Sequence, residues 1–380
     1  MSFRFKLKDL KDSKKFLIGL KKRELRKEIY YNLLKLVEDF EKINSELNSI
    51  RMKKNNSKEI FELKKLKELE KGLFEKLKRL KKERNREELN LPNPIYENFD
   101  ELKRKFKGGI IFQKNFEKGK ETKTYLELEK EYSYPLKNPF SNFHLMNKVG
   151  VLKERELIIK SLEGFEKKGY EEIGEIPLFL PKKYFQFAGQ FPNLKDYLFS
   201  FDGESFLIPT AETGFMKIFE NRIFSEKDLE KNNKFMILSE CFRKEKGQTK
   251  DLKNKFRMFQ FKKLELFRIT LPEKDEFETI QEIMEDMKEL LEEFKISYRF
   301  ILNEPEDFSF QASLSVDLEV YLQNTKKWIE ISTISSCSDF QSKGMNLKIS
   351  GREKKFAYTF NASGFGFSRL FLAKIERDGI

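Results

Sequence analysis

Histidine occurs once in 380 residues, cysteine twice, tryptophan once and proline ten times. A single histidine argues against a Ser-His-Asp triad and against a His-rich metal site. Cys241 and Cys337 are far apart and form neither a CxxC pair nor a disulfide framework. No apolar run approaches the roughly 20 residues of a membrane span, and the start, MSFRFKLKDLKDSKK, has no apolar signal core. A soluble, cytoplasmic protein is expected.

Charge is what the chain has in quantity. Charged residues make up 37% and the net charge is +13, which suits a polyanionic partner. Lysine, asparagine, phenylalanine and isoleucine are all common, so part of the basic excess reads as drift toward AT-rich codons. The length allows two or three domains and a large core.

Residues 1–27 form a basic amphipathic segment. From Ile29, the residues Leu33, Leu36, Phe40, Ile43, Leu47 and Ile50 alternate three- and four-residue spacings, the seam of a long helix. A polar break at residues 53–57 follows, with Ser57 placed to cap the next helix. Ile60, Leu63, Leu66, Leu69, Leu73, Leu77 and Leu80 give a second stripe. The two helices fold back as an antiparallel hairpin. Its charged face suits either an oligomerising coiled coil or a nucleic-acid contact. The prolines of LNLPNPIYENF end the second helix.

Residues 100–143 are polar and mixed, with KGGIIF a candidate strand, and His144 reads as a packing or capping residue. A helix with Leu157, Ile158, Leu162 and Phe165 on its apolar side leads through Gly169-Tyr170 to a strand ending near Pro177. Another helix lies within residues 270–300, apolar at Ile280, Ile283, Met284, Met287, Leu290 and Leu291. Asp317-Leu318-Glu319-Val320 alternates as a strand.

The stretch from Cys241 to Phe267 reads as two strands joined by a basic loop carrying Lys246, Lys250, Lys253 and Lys255. Lys263, Glu265 and Phe267 share one strand face. Arg243 at the root of the loop and an aromatic on the return strand suit an anionic, planar ligand. A surface hairpin with solvated lysines fits the same pattern.

Four stretches in order carry a resemblance: LIPTAET at 207–213, Phe242-Arg243-Lys244-Glu245 with the return strand QFKKLE, DLEVYL with EISTISSCSDFQ at 317–341, and NASGFGFSRL at 361–370. Together they resemble the motifs of class II aminoacyl-tRNA synthetases, and of seryl-tRNA synthetases in particular. The resemblance implies an α+β fold. Residues 100–380 would be a class II catalytic domain, an antiparallel sheet flanked by helices. Residues 1–99 would be a helical hairpin that reaches tRNA(Ser). The helix–strand pair before Pro177 resembles motif 1, which implies a homodimer.

The implied reaction is ATP-dependent activation of serine to seryl-adenylate and transfer to tRNA. Catalytic roles fall to Arg243, Glu245 and Arg369. ATP would contact Arg243, Glu245, Phe261, Glu330 and Arg369, with Mg2+ on Glu330. Thr210, Glu212, Glu265, Asn361 and Ser363 would line the serine pocket. Several positions depart from the family pattern. Ser309–Leu314 replaces a Gly- and Ala-rich stretch ending in Lys, and Lys253 stands where Arg is expected. Lys343-Gly344 replaces an Arg pair, and residues 335–338, SSCS, are displaced. A degenerate paralogue that binds RNA or a partner without charging tRNA is the rival reading. An enzyme acylating a carrier protein fits the long arm poorly.

Overall fold

The computed structural model describes residues 4–57, 59–134, 145–231, 233–244, 258–351 and 354–378. His144, Glu245, Lys246, Lys250, Lys253 and Lys255 lie outside the described residues. The chain divides into two compact units, Met1–Ile95 and Tyr96–Ile380.

In the first unit, helices α1 (Glu28–Asn56) and α2 (Ile60–Glu88) pack along their length. Two short helices, Leu7–Leu10 and Ser13–Lys22, bury Leu10, Phe16 and Leu20 against Tyr30, Leu33 and Val37 of α1. Ile43, Leu47 and Leu77 form a second cluster further along the hairpin. The seam therefore passes through Val37, which is fully buried, while Leu36 is only half-buried. Ile60 and Leu69, expected inside, are exposed. Near the turn a polar contact takes the seam instead: Arg51 pairs with Glu70 at 3.0 Å, and Lys54 pairs with the same carboxylate. Ser57 does not cap α2. It closes α1, donating its N–H to the Lys53 carbonyl, and the residue before α2 is Glu59.

The second unit is built on an eight-stranded sheet. Its strands are β1 (Ile110–Lys114), β2 (Glu171–Glu172), β3 (Lys234–Phe242), β4 (Gln260–Thr270), β5 (Tyr298–Leu302), β6 (Leu314–Leu322), β7 (Lys327–Ser336) and β8 (Tyr358–Gly366). They lie in the order β1-β5-β6-β7-β8-β4-β3-β2. Every pair is antiparallel except β2 with β3. The strand expected to end near Pro177 is only the two-residue β2; Ile173 still donates its N–H to Met236, and the chain beyond it leaves the sheet.

Helix α3 (Lys148–Lys167) precedes β2, α4 (Glu212–Ile218) precedes β3, and α5 (Glu276–Glu293) follows β4. Helices α6 (Phe340–Met345) and α7 (Phe367–Asp378) flank β8 in sequence. The alternation of β4 assigns its two faces. Phe267 stacks on Phe215 of α4 with ring centroids 4.6 Å apart. Arg268, pointing the other way, pairs with Glu282 of α5 at 2.7 Å. The Phe267 side joins a core with Phe185, Phe206, Phe219 and Phe235. Burying one such ring is worth about 2–3 kcal/mol. Among the described residues, no helix is long and apolar enough to cross a membrane.

Net charge separates the two units. Residues 1–95 carry 28 Lys and Arg against 16 Asp and Glu, and residues 96–380 carry 48 against 47. Almost all of the basic excess therefore sits in the first unit. A codon bias acting on the whole chain would not concentrate it there.

Candidate active site

The face of β4 that carries Lys263 and Glu265 turns toward α4, and β8 brings Asn361 and Ser363 alongside. Ser363 pairs across the sheet with Glu265, and Asn361 with Phe267. A bulge between Ser363 and Phe365 shifts the register at Gly364, whose α-carbon lies too close to Leu264 to carry a side chain comfortably.

A cleft of about 210 Å3 opens over this face, lined among others by Arg243, Phe261, Lys263, Glu330, Ser363 and Arg369. Five residues proposed from the sequence thus meet in one cavity. Arg243 follows directly on β3. Its Nε donates to the Pro209 carbonyl at 3.2 Å, and its guanidinium carbon lies 5.2 Å from the Phe261 ring centroid. Arg369, in the first turn of α7, donates to the Glu330 carbonyl at 2.7 Å. Two guanidinium groups and the Lys263 ammonium therefore face one volume, which suits a polyphosphate.

Glu330 has its carboxylate in solvent. The Thr333 hydroxyl lies 2.8 Å from Asp317 Oδ1 and 3.3 Å from Glu330 Oε1. Burial first, and the nearby Glu330 charge second, push the Asp317 carboxyl up to about 6. Among the described residues, no group of three or more His, Cys, Asp or Glu side chains gathers as a metal site. Mg2+ takes one or two carboxylates together with substrate phosphates. The exposed Glu330 carboxylate, with Asp317 and hydroxyl oxygens beside it, fits that kind of donor set.

The deeper part of the site is a buried polar network. Glu265 Oε2 accepts from the Thr210 hydroxyl at 2.7 Å and from the Lys263 ammonium at 2.6 Å. Lys263 also donates to the Ser363 hydroxyl at 3.1 Å. Glu265 Oε1 takes no partner among the described residues, leaving an acceptor open. Glu212, which opens α4, is buried behind this group and ringed by amides. Gln190 reaches its Oε2 at 3.1 Å. Gln341, Asn361 and Gln311 reach its Oε1 at 2.6, 2.7 and 3.3 Å. Burial, then the Glu265 charge, push the Glu212 carboxyl up to about 7 against the pull of Lys263 and the amides.

Sequence reasoning placed Lys263 on the right face but gave it no role, although a lysine alternating with apolar strand residues was the available signal. It gave no role to Gln190, Gln311, Gln341 or Thr333 either. The contacts of the three glutamines span long sequence distances, and nothing local announces them. Gln311 belongs to the stretch that departs from the family pattern. It rests on Gly189, whose φ of +72° and missing side chain make room for it. Cys337, in the displaced SSCS, is buried and accepts from Asn361 Nδ2 at 3.3 Å.

Comparison with known proteins agrees with this geometry. The description "tRNA synthetase class II core domain (G, H, P, S and T)" matches residues 197–378. The serine–tRNA ligase of Mycoplasma mobile is 34% identical over 229 residues, 58% of this chain and 53% of that protein. The serine–tRNA ligase of Mycoplasmopsis agalactiae is 32% identical over 288 residues, 75% of this chain and 65% of that protein. The chain thus spans little more than half the length of most curated relatives it matches. The crystal structure of seryl-tRNA synthetase from Pyrococcus horikoshii complexed with ATP superposes with a TM-score of 0.82 at 22% identity, covering 98% of this chain and 94% of that one. The core-domain match, the ordered motifs and the fold agree: the chain is similar to the class II aminoacyl-tRNA synthetases, and to the seryl-tRNA synthetases among them.

Proposed function

We propose that the chain is a serine–tRNA ligase, activating serine with ATP and passing the seryl group to tRNA(Ser). The observation that carries this reading is the meeting of Arg243, Phe261, Glu330 and Arg369 around one cleft, next to the buried Thr210–Glu265–Lys263 network. The first step is attack of the serine carboxylate on the α-phosphate of ATP, giving seryl-adenylate and releasing pyrophosphate. Such a displacement needs alignment and charge neutralisation more than an acid or base. Arg243 neutralises the α-phosphate, and Phe261 offers adenine a stacking face opposite Arg369. Glu330 holds Mg2+, which supplies charge compensation at the phosphates when bound. Glu245, outside the described residues, is assigned to the adenine or ribose side.

The open oxygen of Glu265, with Thr210, Ser363 and Asn361 around it, receives the amino acid. A pocket of this kind discriminates by leaving its own polar groups unpaired when a ligand lacks the matching group. The basic hairpin of the first unit takes the tRNA through its backbone and shape, and residues 1–99 are assigned to it. The outer side of α3 exposes Val149, Leu152 and Ile159, with Leu145 just before it. That apolar stripe supports a homodimer through this helix. A cytoplasmic location follows from the reaction.

The rival, a paralogue that binds RNA without catalysis, is not favoured, because the described phosphate- and serine-side residues are intact. Serine-dependent exchange of labelled pyrophosphate into ATP tests the proposal. Exchange with serine, and not with alanine, is expected. Absence of exchange from folded protein with any amino acid would refute it.

A further inference from the structure

Residues 179–207 carry an aromatic face that the site described above does not use. Phe179–Pro181 pairs antiparallel with Ser205–Leu207, setting Phe179 opposite Leu207. Ser200 bridges to Phe206 from the other side. Strand alternation turns Leu180 and Phe206 inward, where both are buried, and puts Phe179, Phe199, Phe201 and Leu207 on the outer face. Phe201 is 83% exposed and Phe179 42%, with their ring centroids 5.7 Å apart.

The face runs on toward the cleft. The Phe199 ring lies 6.0 Å from that of Phe259 and 5.4 Å from the Lys244 ammonium. Lys244 donates its backbone N–H to the Tyr197 carbonyl at 2.8 Å. Arg243, which lines the cleft, donates its own backbone N–H to the Phe259 carbonyl at 3.0 Å. Cations thus stand at the cleft end of the strip. At its outer end the acids are engaged: Asp202 accepts the backbone N–H groups of Glu204 and Ser205, and Glu204 pairs with Lys182 at 3.5 Å. Exposed apolar surface gathered in one place marks an interaction site. Uncharged phenylalanine rings offer little to the phosphates of a duplex, and they offer unpaired bases a stacking surface.

We propose that this strip is a stacking platform for the unpaired 3′-terminal nucleotides of tRNA, with Phe179 and Phe201 at its outer end and Phe199 beside the cleft. The inference rests on the reading that the chain charges tRNA. Ring–base contact holds the single-stranded end along the strip and delivers its terminus to the cleft, where Lys244 and Arg243 meet its phosphates.

The test measures binding of the full chain to a serine-accepting tRNA, intact and lacking its unpaired 3′ end, by fluorescence anisotropy. Wild type is expected to bind the intact form about tenfold more tightly. A variant carrying Phe179→Ala and Phe201→Ala is expected to lose most of that difference while binding the shortened form as wild type does. Both side chains are exposed, and serine-dependent pyrophosphate exchange, which needs no tRNA, is expected to stay unchanged. Phe201→Leu, apolar without a ring, should weaken intact tRNA, and Phe201→Trp should retain it. An equal loss for both tRNA forms, no loss in the double variant, or full affinity in Phe201→Leu overturns the platform. Loss of self-association by the double variant in sedimentation would assign the face to a second copy of the chain, and overturns it as well. Wild-type protein without exchange overturns the ligase reading and the platform with it. Exchange together with equal binding of the two tRNA forms overturns the platform alone.

Discussion

The two units solve different problems and differ in charge. The hairpin of residues 1–95 holds a narrow apolar seam and carries nearly all of the net positive charge, with Lys64, Lys65, Lys71, Lys76 and Lys78 exposed along α2. The unit from Tyr96 is nearly neutral; its functional charges gather around one cleft, with Lys263, Glu265 and Glu212 buried. Dispersed surface charge acts over a Debye length on a large polyanion and needs no fixed geometry. Buried charge acts on a small ligand and needs every hydrogen bond in place.

The strongest way to sharpen this contrast is Arg243→Ala. Removing the guanidinium proposed to neutralise the α-phosphate is expected to cut serine-dependent pyrophosphate exchange about 10²–10³-fold, with thermal stability near wild type. Next, deletion of residues 28–90 is expected to abolish tRNA charging while leaving exchange with free serine. Loss of both activities from folded protein would break the division of labour. In the hairpin, Leu33→Ala removes a fully buried side chain and should cost about 2–5 kcal/mol in the unfolding of that unit, read by urea denaturation.

A smaller effect separates the buried acids. Glu276 opens α5 beneath the sheet, accepting from the Ser336 hydroxyl at 2.5 Å and from the Ser313 hydroxyl. Burial pushes its carboxyl up to about 6. Its folded pKa lies above the unfolded one, so the folded state binds the proton more tightly. That stabilisation is complete below the unfolded value and is lost as pH rises through about 6. Glu276→Gln should therefore gain about 2 kcal/mol relative to wild type between pH 4.5 and pH 8, seen in urea midpoints at the two pH values. Smallest of all, Leu69→Lys on the exposed side of α2 should change stability by less than about 0.5 kcal/mol.

Local pattern made much of this legible. The β3–β4 hairpin, the α5 helix and the paired long helices follow from alternation and seven-residue spacing, because those periods reflect which side of an element is buried. The seam failed where its assumption failed. Leu36 gave way to Val37 because the short N-terminal helices pack on the side of α1 that carries Tyr30, Leu33 and Val37. Ile60 and Leu69 are exposed because Glu70 and its two cations occupy the contact near the turn. In the site, Arg243, Phe261, Glu330 and Arg369 were found through the family resemblance. The amides around Glu212 come from residues 22 to 149 positions away, and no local period encodes such contacts.

Attachment of labelled serine to tRNA tests the central claim most directly, with threonine and alanine as controls and Arg243→Ala alongside. Charging with serine alone, lost in the variant, is the predicted result. Folded protein with cognate tRNA that charges no amino acid would contradict the account.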